Sequence, residues 1–386
     1  MKIAFIARGD AHKWGGDLLA LHAIEKGIEE SGHKTILTPS LLDATDADFV
    51  FLSHTGFDQR GAFDFLKNFD RRIGLIPFYE DFSRYYGPSY GLYVYVHSAL
   101  LGVQSFDLSK LFEEPELIFK HIKPCPRENL INLKVLKNAE IIIANSRTEK
   151  ELIQRDCPSA KTQVVHWGAG WGIETENMDQ TILEMTGFKS GEYILQVGRF
   201  ETRKNQLATI VASKDVDIPL LFIAASGYQP IYEQVCVEAI KKWRKAPTII
   251  ISQELPAYQS GHLKIIQMPK NELLSKEAIM GAFCHAGLHL HPAFCELPGY
   301  TYLESAKMGV ATIASSWTSI KDYFIDPITG NYTLDERIAY VAPYDIPAIK
   351  EKIQNTFGKK YSQEESNPIF KRTKWEIAKD ILALIH

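Results

Sequence analysis

The chain has 386 residues, enough for two domains of ordinary size, and its 43 Lys and Arg against 47 Asp and Glu leave a net charge of -4. That balance is spread evenly over both halves, which excludes a basic half for gripping nucleic acid, and no apolar run reaches the roughly 18 residues that cross a bilayer. Five cysteines, scattered and without a C-x-x-C pair, fit reduced thiols and a cytoplasmic protein rather than a disulfide framework.

The run Lys2 to Ala7 reads as a short buried strand, too short to serve as the core of a secretion signal. It breaks into the loop Arg8-Gly-Asp-Ala-His-Lys-Trp-Gly-Gly16, after which apolar residues at 18, 21, 24 and 28 predict a helix over 17–31, ended by Gly32. Strands follow at 34–37, 49–52, 73–76 and 140–144. A helix over 147–155 with Ser146 as its N-cap and a strand at 163–166 complete this set. The glycine-rich stretch 168–191 is poor in strand formers, and then the pattern restarts. Strands are expected at 193–197, 220–225, 248–252, 263–267, 287–291 and 311–314, with helices between. Alternating strands and helices imply doubly wound parallel sheets. The expected architecture is α/β, two Rossmann-like domains facing a central cleft, over 1–170 and 171–367. A last amphipathic helix (about 368–386, apolar at 375, 378, 381, 382 and 385) packs back on the first domain. Ligands in such folds sit at the carboxyl ends of the strands, hence in the cleft.

The most informative segment runs from His291 to Ser315. A strand ends at Pro292, a loop carries Glu296, and a helix starting near Gly299 or Tyr300 carries Glu304. Glu296 thus lies beside a helix N-terminus whose free amides favour an anion such as a diphosphate. Glu304, a turn into the helix, presents a carboxylate suited to ribose hydroxyls.

This segment resembles the E-x(7)-E motif of retaining glycosyltransferases of the GT-B fold, the family-4 type. Other stretches match the same family in the same order. Val197-Gly-Arg199-Phe-Glu-Thr-Arg-Lys204-Asn is similar to its V-G-R-x-x-x-x-K-G/N motif, and the stretch Asn138 to Leu152 to its A-D-x-V-I-A-x-S-x-x-x-K-x-x-L pattern. Trp14-Gly15-Gly16 with Ser31-Gly-His-Lys34 resembles the N-terminal glycine loop and R-G-H-E/K, and Val341-Ala-Pro-Tyr-Asp345 the C-terminal P-x-D. The resemblance covers nearly the whole chain and is weakest over 56–135.

The resemblance implies a metal-independent retaining transferase without cofactor, taking a nucleotide sugar and a glycan, lipid or small-molecule acceptor, with no nucleic acid and at most peripheral membrane contact. It assigns catalysis to Glu296, Arg199 and Lys204. Arg199 and Lys204 hold the diphosphate, with Glu304, Gly15, Gly16, Gly299 and Tyr300 also on the donor. Glu80, Asp81, Tyr85 and Tyr86 are the acceptor-side candidates, because the tyrosine-rich segment 79–97 offers rings that stack on sugars, the bland counterpart being a packed aromatic cluster. The chain departs from the pattern at Pro298, in a loop that is usually E-G-F-G, and at Pro77-Phe-Tyr79-Glu80-Asp81, where the family places a His-Asp pair. These departures keep a catalytically silent binding or partner subunit of the same fold as the alternative. The His285, His289, His291, Cys284 and Cys295 group has no zinc-ligand spacing and reads as core or cleft lining. Asp46-Ala-Asp48 and Asp215-Val-Asp217 precede strands and read as solvated loop acids.

Overall fold

The computed structural model describes residues 1–8, 16–54, 59–119, 133–167, 179–224, 229–269, 272, 274–297, 299–324, 336–361 and 372–386. Strands β1 (Lys2–Ile6), β2 (Lys34–Thr38), β3 (Phe49–Ser53), β4 (Arg72–Ile76), β5 (Ile142–Ala144) and β6 (Thr162–Val164) form one sheet, in the order β2-β1-β3-β4-β5-β6. Every pairing in it is parallel. Strands β7 (Ile194–Val197), β8 (Leu220–Ala224), β9 (Thr248–Ser252), β10 (Tyr258–Ser260), β11 (Leu263–Gln267), β12 (Leu288–His291), β13 (Thr312–Ser315) and β14 (Ile338–Val341) form a second, ordered β10-β11-β9-β8-β7-β12-β13-β14. Only β10 runs antiparallel there, an edge hairpin that the pattern of parallel crossovers did not predict. β14 also lies outside the predicted set, because its Ile-Ala-Tyr-Val run is too short to stand out.

The strands are apolar on both faces, as sheets covered by helices require: all of Phe49–Ser53 and Leu220–Ala224 is buried. Each sheet has a topological switch point, where the strand order reverses. It falls between β1 and β3 in the first sheet and between β7 and β12 in the second. Crevices at these points, outside the carboxyl ends, are where doubly wound sheets bind ligands.

The C-terminal helix Lys374–Ile385 starts from a Thr373/Glu376 capping box and packs against the first helix, Gly16–Glu30. Gly27 makes the crossing possible, since a Cβ there would stand 2.4 Å from the Lys374 carbonyl oxygen. The buried stripe is Ile377, Ala378, Ile381, Leu382 and Ile385. Trp375, expected on that face, is instead 48% exposed, with Lys379 over its ring, because the stripe is rotated to begin at Ile377.

A helix over Phe82–Leu100 occupies the tyrosine-rich segment, with Pro88 inside it. It follows β4 of the first sheet, yet Tyr85, Leu92, Tyr95 and Val96 are buried in the cluster that covers the second sheet, beside Leu207, Ile210 and Tyr232. By packing, this helix belongs to the second half of the molecule. Among the described residues no helix is long and apolar enough to cross a membrane.

Candidate active site between the sheets

The switch point of the second sheet carries the predicted donor residues. Gly198 follows β7 with φ +149, a backbone that side-chain-bearing residues rarely adopt, and it sits in van der Waals reach of His291 at the β12 end. A single 3-10 turn, Thr202–Lys204, follows, and Asn205 closes it at φ 62. Asn205 donates from Nδ2 to the carbonyl oxygens of Pro292 and Pro343, both at 2.7 Å, which ties the turn to the strand end carrying Glu296. An Asn suits this position because, like Gly, it tolerates the left-handed backbone. Lys204 Nζ lies against Glu296 Oε1 as a buried ion pair, and His291 Nε2 stands 3.3 Å from the same oxygen.

Around this pair the charges alternate. Arg199 Nε lies 3.0 Å from Glu201 Oε1, and Arg203 Nε donates to Glu201 Oε2 at 2.7 Å. Arg203 also reaches across to the first half, 3.7 Å from Glu80 Oε1. Burial alone would raise the Glu296 pKa. Lys204, then His291 and Arg203, override it and hold the carboxyl well below its usual range. Burial likewise opposes charge on Arg203, but Glu201, Glu80 and Glu296 keep the guanidinium firmly protonated. Burial pushes the His291 imidazole below its ordinary value, with Glu296 opposing the shift. Three cations, Arg199, Arg203 and Lys204, thus stand near one strand end, each beside a carboxylate.

Gly299 starts the helix Tyr300–Lys307 at φ +83, and a Cβ there would sit 2.5 Å from the Tyr302 ring. Pro298 and Gly15 lie outside the described residues. Tyr302 OH donates to the His291 carbonyl oxygen at 2.6 Å, fixing the helix start to β12. Tyr300 meets Gly16 across the cleft: a Cβ on Gly16 would lie 3.2 Å from its ring. Glu304 is half-buried one turn on, and among the described residues no donor bonds to its carboxylate. Burial, little offset by Lys276, pushes its pKa up to about 7.

The acceptor-side candidates divide. Glu80 joins the cluster through Arg203. Asp81 is engaged by Arg155 at 2.9 Å and by the Ser83 hydroxyl at 2.5 Å. Tyr85 is buried in the second-half core, with Glu80, Cys295 and Arg203 among its charged and polar neighbours. Tyr86 is half-buried and stacks between Tyr85 and Tyr90, with centroids 5.2 and 5.9 Å apart. Tyr79 is buried with its hydroxyl on Asp156 at 2.7 Å. Helical packing absorbs most of the segment, because the spacing 85, 92, 96 faces a hydrophobic surface on the second half. His289 and His291 are buried on one face of β12, as read, with His289 Nδ1 2.9 Å from the Ser305 hydroxyl. Asp46 and Asp48 engage Lys2 at the surface.

Sequence reasoning missed Arg203, an unspecified position inside the V-G-R motif, and a group at the first sheet's switch point. There Asp17 Oδ2 accepts from Arg8 Nε at 2.7 Å and from His54 Nε2 at 2.9 Å. Burial would raise the Asp17 pKa, but His54 and Arg8 hold it well below the usual range. The strands preceding Arg8 and His54 and the helix carrying Asp17 were legible. Their convergence, 37 positions apart for His54 and Asp17, was not.

Solved structures share this architecture. Sucrose-phosphate synthase from Thermosynechococcus elongatus superposes with a TM-score of 0.61 at 14% identity, over 99% of this chain and 94% of that one. The chain has the GT-B fold. The α,α-trehalose-phosphate synthase (UDP-forming) from Burkholderia xenovorans, in complex with glucose-6-phosphate, gives 0.61 at 10% identity, over 100% and 99%. HepE of Anabaena, in complex with UDP and glucose, gives 0.58 at 12% identity, over 100% and 97%. No protein-family model matches the sequence, and no curated protein matches it.

Proposed function

We propose that the protein is a glycosyltransferase that moves a sugar from a nucleoside-diphosphate donor to a hydroxylated acceptor, with retention and without a metal. The observation that carries this reading is the buried Lys204–Glu296 pair at the second switch point, with Arg199 and Arg203 beside it. A leaving diphosphate gains negative charge as the glycosidic bond breaks. Fixed ammonium and guanidinium groups in a poorly solvated crevice stabilise that charge without reorganising. Lys204 and Arg199 take the diphosphate, Glu296 accepts from donor-sugar hydroxyls, and the unbonded Glu304 carboxylate accepts from ribose. Two fold neighbours, HepE in complex with UDP and glucose and the UDP-forming trehalose-phosphate synthase, support a uridine donor. Titration with UDP, GDP and ADP followed by turnover of the matching sugar nucleotides tests it. Turnover that survives Lys204→Ala or Arg199→Ala would sink the assignment.

A second reading, a silent binding subunit, is favoured by one observation. The segment after β4 buries Tyr79 against Asp156 and turns Glu80, not a histidine, toward Arg203. Tight nucleotide binding without transfer or hydrolysis selects it.

A further inference from the structure

The Phe82–Leu100 helix has a second side that the second sheet does not use. Opposite the buried Tyr85, Leu92 and Val96 it carries Tyr90, Val94, His97 and, at its C-cap, Leu101, a 4-3-4 spacing that keeps the four on one stripe. Tyr90, Val94 and Leu101 are exposed, Leu101 to 71%. The helix Pro230–Trp243 runs beside it in the same direction. At one end Gln229 Nε2 donates to Tyr90 OH at 3.4 Å. The Tyr93 and Tyr232 rings then lie 6.0 Å apart, and at the other end Lys242 Nζ donates to the Leu100 carbonyl oxygen at 2.9 Å. The outward stripe of this second helix, from Ile231 (62% exposed) through Gln234 and Glu238 to Lys242, is as long as that from Tyr90 to Leu101, about three turns. Between the stripes lies a groove of about 450 Å³ with Leu100 and Val235 in its lining.

We propose that this groove docks an amphipathic helix of a protein partner, apolar on the side that enters and acidic at the end that lies over Lys242. The inference does not depend on the transferase reading. Two parallel ridges three turns long form the concave seat that a helix fills, with Val94, Leu101 and Ile231 as its apolar anchors. A flat bilayer touches only the rims of such a seat and leaves Leu100 and Val235 uncovered. Charge supplies the rest. From Phe82 to Phe106 the chain has no Asp or Glu. On the other rim Glu238 is held by Lys241 at 2.8 Å, and beyond it stand Lys242 and the exposed Lys245. Lys242 spends one donor on the Leu100 carbonyl and, with three, has others to offer a carboxylate. This cationic, apolar face sits on a chain of net charge -4. A second copy would bring the same lysines against these, so like charges oppose self-pairing, whereas an acidic partner is attracted.

The test selects a phage-displayed library of helical peptides against the full chain and measures the affinities of the enriched sequences by fluorescence polarisation. The expected sequences carry apolar residues at 3–4 spacing over about three turns, with Asp or Glu at one end. They should bind about tenfold more weakly to the chain bearing Leu101→Ser and Ile231→Ser. Both side chains are exposed, so thermal unfolding of that variant should be unchanged. Lys242→Glu should weaken binding by about fivefold and flatten its dependence on salt. Enriched peptides that bind the doubly substituted chain as tightly as the natural one, or that carry no acidic bias, overturn the proposal, as does a selection that enriches nothing. Two rival occupants are measured directly, by co-sedimentation with phosphatidylglycerol vesicles and by analytical ultracentrifugation of the chain alone. Vesicle binding or self-association that the same two substitutions abolish assigns the groove to that occupant and overturns the proposal.

Discussion

Replacing Lys204 by Met removes an ammonium from a site where its side chain is 14% exposed and that of Glu296 9%. Breaking a buried pair from one side costs about 3–5 kcal/mol, because the remaining charge is left without its partner. Here His291 at 3.3 Å and the nearby Arg203 soften that loss, so Lys204→Met should cost about 3 kcal/mol at pH 7. Glu296→Gln should cost a similar amount, leaving the ammonium buried beside two guanidinium groups. The double variant removes both charges together and should cost only about 1–2 kcal/mol, a coupling of about 4 kcal/mol between the sites. Urea unfolding of the four proteins gives these values. The pH dependence adds a second check. The folded-state pKa of Glu296 is depressed, so its contribution is present above the unfolded value near 4.5 and is lost as pH falls through that value toward the folded one. The gap between wild type and Glu296→Gln should therefore stay constant from neutral pH down to about 5.5 and narrow below about 4.5. Single variants that each cost less than about 1 kcal/mol and add without coupling would refute the reasoning.

Three other expectations concern neighbouring parts. Gly299→Ala places a Cβ against Tyr302 at a left-handed position and should cost about 2 kcal/mol in thermal unfolding, with nucleotide affinity falling in parallel. Glu304 has a folded pKa pushed up to about 7, so ionising it is a penalty that sets in above the unfolded value of 4.5 and is complete above about 7. Glu304→Gln should accordingly stabilise the free protein at pH 8 but not at pH 5, while weakening nucleotide binding; equal effects at both pH values would contradict the burial assigned to it. Gly27→Ala should loosen the C-terminal helix, read as faster amide exchange over 374–385 with the second sheet unaffected.

The sequence showed the sheets because their strands are locally apolar: the predicted runs at 248–252 and 263–267 coincide with β9 and β11. It hid the Phe82–Leu100 helix because Gly87, Pro88 and Gly91 punctuate it as a loop would be punctuated. The burial of Tyr85, Leu92 and Val96 against the other half outweighs the missing Pro88 N–H. The placement of Glu296, Lys204 and Gly299 at strand and helix ends was legible because each belongs to a fixed spacing there. Arg203 was not, since nothing local distinguishes one arginine in Glu-Thr-Arg-Lys from a solvated one. Asp17 and His54 were invisible for a different reason: their meeting depends on the adjacency of β1 and β3, which is a property of strand order.

The placement of Phe82–Leu100 bears on how such a molecule can be taken apart. A cut at the segment joining the sheets would leave a helix with Tyr85, Leu92, Tyr95 and Val96 on the fragment that lacks its binding surface, a large apolar face exposed to water. Residues 108–118, whose Leu111 and Ile118 enter the same cluster, would be stranded with it. Chimeras that exchange donor specificity between proteins of this architecture should therefore move this helix and the turns after it together with the second sheet, with one junction near Asp81 and another beyond Phe119. The unit that could be inherited or engineered intact is discontinuous in the chain.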